Sequence, residues 1–196
     1  MAVPYDDLGL GEFLDLVAKR QPAPGGGAVA AVSVSSAASL VAMAGRYSMG
    51  CLDDAEELVD EAERLRVRAA GLADDDAAAY DEVIAAYTSV RRGGDSGNRG
   101  QVRAALTRAA EVPLEVAELG AATARLAALL VADGKRDIRG DAATALLLAE
   151  ASTLAAAHLV AINVEAGGGD HDLLRRATQS AVSARQSAAS VRPPAA

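Results

Sequence analysis

Aromatic side chains are scarce in this sequence: 3% of 196 residues, with one phenylalanine and no tryptophan, and there are only two histidines and one cysteine. With so few large rings, a core has to be filled by close approach of small side chains. The lone Cys51 excludes an internal disulfide and a cysteine cluster for zinc, and it fits a reducing compartment. Positive charge is also short. Nineteen Lys and Arg against 27 Asp and Glu leave a net charge of −8, so no basic face for nucleic-acid phosphates is expected. The start, Met1-Ala2-Val3-Pro4-Tyr5-Asp6-Asp7, lacks the basic and apolar regions of a secretory leader, which points to the cytoplasm. Long apolar runs uninterrupted by polar groups are missing too. Residues 28–44 are broken by Ser33, Ser35, Ser36 and Ser39, and residues 142–164 by Glu150, Ser152, Thr153 and His158. Rich in alanine, both read as buried helices of a soluble bundle and not as membrane spans.

What is abundant is alanine, within 51% hydrophobic residues, enough for one sizeable core and a single domain over 1–196. Helical periodicity recurs along the chain, whereas strand alternation is almost absent. Leu10, Phe13, Leu14 and Val17 predict a short amphipathic helix that stops before Pro22. A second helix follows over 28–45, and a third over 55–87 with Leu58, Val59, Ala62 and Leu65 on its apolar face. Residues 91–100 have the composition of a flexible loop. Helices over 101–110 and 114–131 come next, with Pro113 forcing a kink or a new first turn. Another helix runs from 140 or 141 to 166 and ends at Gly167-Gly168-Gly169; the last covers 173–191, before a frayed Pro193-Pro194 end. The expected fold is an all-α bundle of about six long helices. Two of these helices, 28–45 and 141–166, are small and apolar on nearly all sides, and a bundle of this size leaves few neighbours to cover them. A homodimer with those helices near the shared face is therefore expected.

Chemistry is sought where polar or bare backbone interrupts these runs. Pro22-Ala23-Pro24-Gly25-Gly26-Gly27 stops one helix and opens the next. It admits two readings: backbone access for a ligand, with an anion at the helix N-terminus, or a tight packing corner. Asp74-Asp75-Asp76 lies midway along a core-forming helix, where three adjacent side chains point three ways and at least one faces the core or a cleft. Such a carboxyl suits general acid or base work; the alternative is a solvated acidic face. Asp141 and Asn163 fall on one face of the fifth helix yet lie about 33 Å apart, and Asp141 reads as a helix cap. His158 reads as a core or edge residue and His171 as solvated, with no metal-ligand spacing around either.

Several segments together resemble the cyclodeaminase and cyclohydrolase enzymes of tetrahydrofolate metabolism: Pro24-Gly25-Gly26-Gly27-Ala28-Val29-Ala30-Ala31 with Leu40 and Met43, then Asp76-Ala77-Ala78-Ala79-Tyr80, Val112-Pro113-Leu114, Asp141 and Ile162-Asn163. The resemblance implies an all-helical subunit that pairs as a dimer and binds no permanent cofactor or metal. It implies a tetrahydrofolate derivative as substrate: hydrolysis of 5,10-methenyltetrahydrofolate to 10-formyltetrahydrofolate, or release of ammonia from 5-formimidoyltetrahydrofolate. On the same basis Asp76 is the expected catalytic aspartate, and Pro24, Gly25, Gly26, Gly27, Ser48, Asp141 and Asn163 are the expected substrate-binding residues. The chain departs from the family's pattern at Cys51 and Leu52, where basic residues are usual, at Lys135 and Arg136 in place of an asparagine, and at Leu159 in place of the first of two asparagines. Arg91 and Arg92 stand near the family's loop lysine. Hydrolysis is the preferred expectation because no formiminotransferase segment is attached; the alternatives are the deaminase and a non-catalytic helical interaction protein.

Overall fold

The computed structural model describes residues 3–93, 97–189 and 191. Among them the chain is helical and has no strand. A short 3-10 turn, Tyr5–Asp7, precedes α1 (Leu10–Val17), α2 (Gly26–Tyr47), α3 (Ala55–Gly93) and α4 (Gly97–Asp133); a second turn, Arg136–Ile138, leads into α5 (Arg139–Gly167) and α6 (His171–Ala188). The helical class agrees with the sequence pattern, with six helices among the described residues against about six expected, and the bounds differ most around 91–100 and Pro113. The loop expected over 91–100 is narrower, since α3 continues to Gly93 and α4 begins at Gly97. Residues 94–96 and the end around Pro193 and Pro194 lie outside the described residues. Of the two readings at Pro113, a kink or a new first turn, no new helix starts there: the flanking stretches form one helix, α4, with Pro113 inside it and fully buried.

Successive long helices run antiparallel. Ser35 Oγ of α2 donates to the Arg66 carbonyl of α3 at 3.0 Å, and Arg68 and Glu82 of α3 pair with Glu115 and Arg108 of α4. The core is built mainly from alanine, valine and leucine, and glycines allow the closest crossings. A Cβ on Gly45 would lie 2.7 Å from Val59 Cγ2, and one on Gly120 would lie 2.4 Å from Thr153 Oγ1. Small side chains thus replace aromatic anchors by letting helices approach, as the composition requires.

α1 is the exception to good burial. Only Phe13 is buried on it, meeting the Tyr5 ring edge-to-face with centroids 5.8 Å apart, while Leu10 is 71% exposed and Leu14 55%. The apolar stripe read from the sequence is present, but most of it is not covered within the chain. α2 and α5 are each long and apolar enough to cross a membrane by length and composition. In the fold both contribute to the core, through residues such as Ala31, Val34 and Val41 on α2 and Leu146, Ala149 and Val160 on α5.

Candidate functional site

α2 begins without a cap of its own. Gly25 occupies the N-cap position and brings no side chain to the open N–H groups of the first turn. The acceptor arrives from α3: Asp76 Oδ2 takes the Ala28 N–H at 3.1 Å. Oδ1 of the same carboxyl has no partner among the described residues, and no buried side-chain oxygen there lacks one, so Oδ1 is not sealed from solvent. Burial raises the Asp76 pKa above the usual carboxylate range, and the Ala28 N–H offsets part of that rise. A partly dry carboxyl, pinned at one oxygen and open at the other, holds and releases a proton closer to neutrality than a surface aspartate does.

The three consecutive aspartates do point three ways. Asp74 turns to the N-terminal segment, where both of its oxygens accept the Tyr5 N–H at 3.1 and 3.2 Å. Asp75 pairs at the surface with Arg68 at 3.1 Å, and that guanidinium also holds Glu115. The solvated reading therefore describes Asp75, and the inward one describes Asp76. The clamp between Asp74 and Tyr5 was not legible in the sequence. It lays the first turn over α3 beside Asp76, and burial together with Asp74, Asp81 and Asp76 pushes the Tyr5 hydroxyl pKa up.

The glycine run takes a different form from the anion site read in the sequence. The anion at the start of α2 is the protein's own Asp76, so the Ala28 donor is not left for a ligand. Pro24 and Gly27 are buried, Gly25 is half-buried and Gly26 is exposed. The packing reading holds only for Gly27, because a Cβ on Gly26 would meet nothing within 4 Å.

Asn163 lies toward the same end of the bundle. Ala28, Ala73, Val116 and Ala156 share one core cluster, and Asn163 is about two turns beyond Ala156 on α5. Its Nδ2 donates to the Ala109 carbonyl at 2.8 Å. Ala109 is four residues before Pro113, which has no N–H to give it, so Asn163 supplies the donor that proline removes from α4. Asn163 also lines a cavity of about 200 Å³ with Arg103, Thr107, Gly167 and His171. No hydrogen bond joins it to Asp76.

Ser48 and Asp141 sit at the opposite end. Ser48 is fully buried; its Oγ donates to the Ala44 carbonyl at 2.9 Å and accepts the Lys135 N–H at 3.0 Å, tying the end of α2 to the joint after α4. Asp141 is exposed within the first turn of α5, which starts at Arg139, so it is not the cap that the sequence suggested. With 22 residues in α2, this end is about 33 Å from Gly26. Within one chain the expected substrate-binding residues therefore fall into two separate groups.

The departures from the family pattern lie mostly near this second end. Cys51 is exposed, with Sγ 3.2 Å from the Ser48 carbonyl, and the Lys135 ammonium lies 5.8 Å from the Tyr47 ring centre. Arg91 is exposed near the end of α3, and the Arg92 side chain lies outside what is described. His158 and His171 are both exposed, on α5 and at the start of α6. Among the described residues no three His, Cys, Asp or Glu side chains are grouped to hold a metal ion.

Residues 9–182 match the sequence profile described as formiminotransferase-cyclodeaminase. A methenyltetrahydrofolate cyclohydrolase of Methylorubrum extorquens is 30% identical over 164 residues, covering 78% of this chain and 77% of its own. Among solved structures, the formiminotetrahydrofolate cyclodeaminase of Thermotoga maritima superposes with a TM-score of 0.79 at 27% identity, covering 93% of this chain and 91% of its own.

Proposed function

The chain belongs to the formiminotransferase-cyclodeaminase family, and from that premise we propose that it hydrolyses 5,10-methenyltetrahydrofolate to 10-formyltetrahydrofolate, with Asp76 as the acid–base residue. The supporting observation is the Asp76 carboxyl itself, with Oδ2 on the Ala28 N–H and Oδ1 open. Water adds to the cationic methenyl carbon as Oδ1 accepts a proton from it, and the carboxylate's charge favours the approach of that cation. The bond from this carbon to N5 then breaks as the carbinol hydroxyl loses its proton to solvent and becomes the formyl oxygen, and the protonated carboxyl returns its proton to N5, so that one proton is released overall. The Methylorubrum relative favours this hydrolysis, and the Thermotoga structure favours a second reading, cyclodeamination of 5-formimidoyltetrahydrofolate. There the same carboxyl would protonate the departing amine as the ring closes.

Parallel assays separate the two readings. A hydrolase is expected to consume the methenyl compound without releasing ammonia from the formimidoyl compound; a deaminase is expected to release ammonia. Turnover of neither above the protein-free rate would leave the non-catalytic interaction protein as the reading. The substrate-binding roles of Pro24, Gly25, Gly26 and Asn163 belong to the same proposal, as does a cytoplasmic setting. Gly26→Ala tests ligand access directly. An added methyl has open space around it at the start of a helix, so melting is expected to stay unchanged or rise by up to about 1 kcal/mol of stability. Folate affinity is expected to fall in a titration if the ligand approaches that backbone.

We also propose that the protein works as a homodimer. Leu147, Leu148 and Ile162 remain 39–48% exposed along α5, in keeping with a partner on that helix. A two-fold mate also offers a way to bring the end bearing Ser48 and Asp141 of one copy toward Asp76 of the other. Sedimentation at micromolar concentration is expected to show no stable monomer; a well-folded monomer would contradict the proposal.

A further inference from the structure

The packing constraint at Gly27 is set by a single side chain of α3. A Cβ built there would lie 1.9 Å from Asp76 Oδ1, 2.4 Å from Cγ and 2.6 Å from Oδ2. The three nearest atoms all belong to one carboxyl group. The adjacent glycines are under no such constraint: Gly26 would meet nothing, and Gly25 only the Pro22 carbonyl oxygen at 3.9 Å. We infer that Gly27 is a positioning residue, whose missing side chain forms the seat that holds the Asp76 carboxyl with Oδ2 on the Ala28 N–H and Oδ1 against the bare Gly27 backbone. The kinetic part of this inference rests on the proposed role of Asp76, whereas the seat itself is a property of the fold.

The seat is narrow because neither side can retreat. Asp76 follows Leu72 and Ala73 on α3, both fully buried, and Gly27 precedes the fully buried Ala28 on α2. The two backbones are thus fixed by the core directly beside the contact. Aspartate has only two side-chain torsions, so a methyl at position 27 leaves the carboxyl one way out, rotation off α2. That motion gives up the Ala28 N–H and turns Oδ1 away from its present direction. An alanine at 27 therefore acts on the orientation of a group it does not replace.

A double-mutant cycle tests the seat without reference to turnover. Gly27→Ala is expected to lower the melting midpoint by about 3 °C or more when Asp76 is present, and by less than about 1 °C when added to Asp76→Ala. If Gly27→Ala alone fails to fold, recovery of folding in the double variant carries the same meaning. An equal loss in both backgrounds would overturn the inference, because the methyl would then be clashing with something other than Asp76. The kinetic readout is a split: kcat of Gly27→Ala is expected to fall about 10- to 100-fold while KM moves less than about threefold. A kcat at the wild-type level would overturn the positioning role. Gly71→Ala, on α3 where an added Cβ meets nothing, is the control and is expected to keep full activity. Failure of the proposed reaction would look different: the wild-type protein would be inactive while positions 27 and 76 remained coupled in the melts.

Discussion

Gly120→Val is expected to destabilise the protein by about 3 kcal/mol, a fall in melting temperature of roughly 6–12 °C for a chain of this size. Gly120 is where α2, α4 and α5 meet. Its Cβ alone would lie 2.4 Å from Thr153 Oγ1, 3.2 Å from Val34 Cγ2 and 3.4 Å from the Ala149 carbonyl oxygen. Thr153 cannot swing aside cheaply, since it is fully buried and its hydroxyl donates to that same Ala149 carbonyl at 2.7 Å. The two further methyl groups of valine have no space, so α4 must move outward and give up contacts along the core. On helix propensity alone, replacing glycine would be favourable by a few tenths of a kcal/mol or more. The sign of the measured change therefore decides between propensity and packing. A thermal melt in which Gly120→Val matches wild type would show that the crossing is looser than the fold requires.

Asp76→Asn is expected to leave the fold intact and to reduce turnover by about 10²- to 10⁴-fold. The amide oxygen can still accept the Ala28 N–H, so α2 keeps its borrowed cap, but the side chain no longer takes up or delivers a proton. Stability should respond in a defined direction. Burial raises the Asp76 pKa, so the folded protein binds this proton more tightly than the unfolded chain does. Its contribution to stability is then fully present below the unfolded pKa and is lost as pH rises through the raised folded value. At neutral pH the variant, with no charge to bury, is expected to be at least as stable as wild type. A clear loss of melting temperature there would identify the charged carboxylate as a structural group.

Helix content was legible because apolar period and breakers agree over most of the chain. Proline at position 113 left a kink and a new first turn both open, and the fold keeps one helix there. The missing N–H on α4 is offset by the Asn163 amide from α5, a partner 54 residues from the Ala109 carbonyl that accepts it. No local pattern announces that pairing, although a buried proline always poses the question of which group serves the freed carbonyl. The direction of Asp76 was foreseeable only as one of three, since helix geometry says that adjacent side chains diverge and not which one meets α2. Gly27 and Asp76 each stood out separately; their contact depends on the register of α2 against α3. Ser48 shows the converse, a polar residue within a family-like segment whose hydroxyl, in this chain, holds backbone at the far end of the bundle.

The most direct test of the account is the loss of 5,10-methenyltetrahydrofolate absorbance, followed with wild-type protein, with Asp76→Asn and with buffer alone at one pH. Wild type is expected to exceed the spontaneous rate in proportion to protein concentration, and Asp76→Asn to fall back close to the spontaneous rate while still binding the compound. Wild type and Asp76→Asn accelerating the loss equally would contradict it.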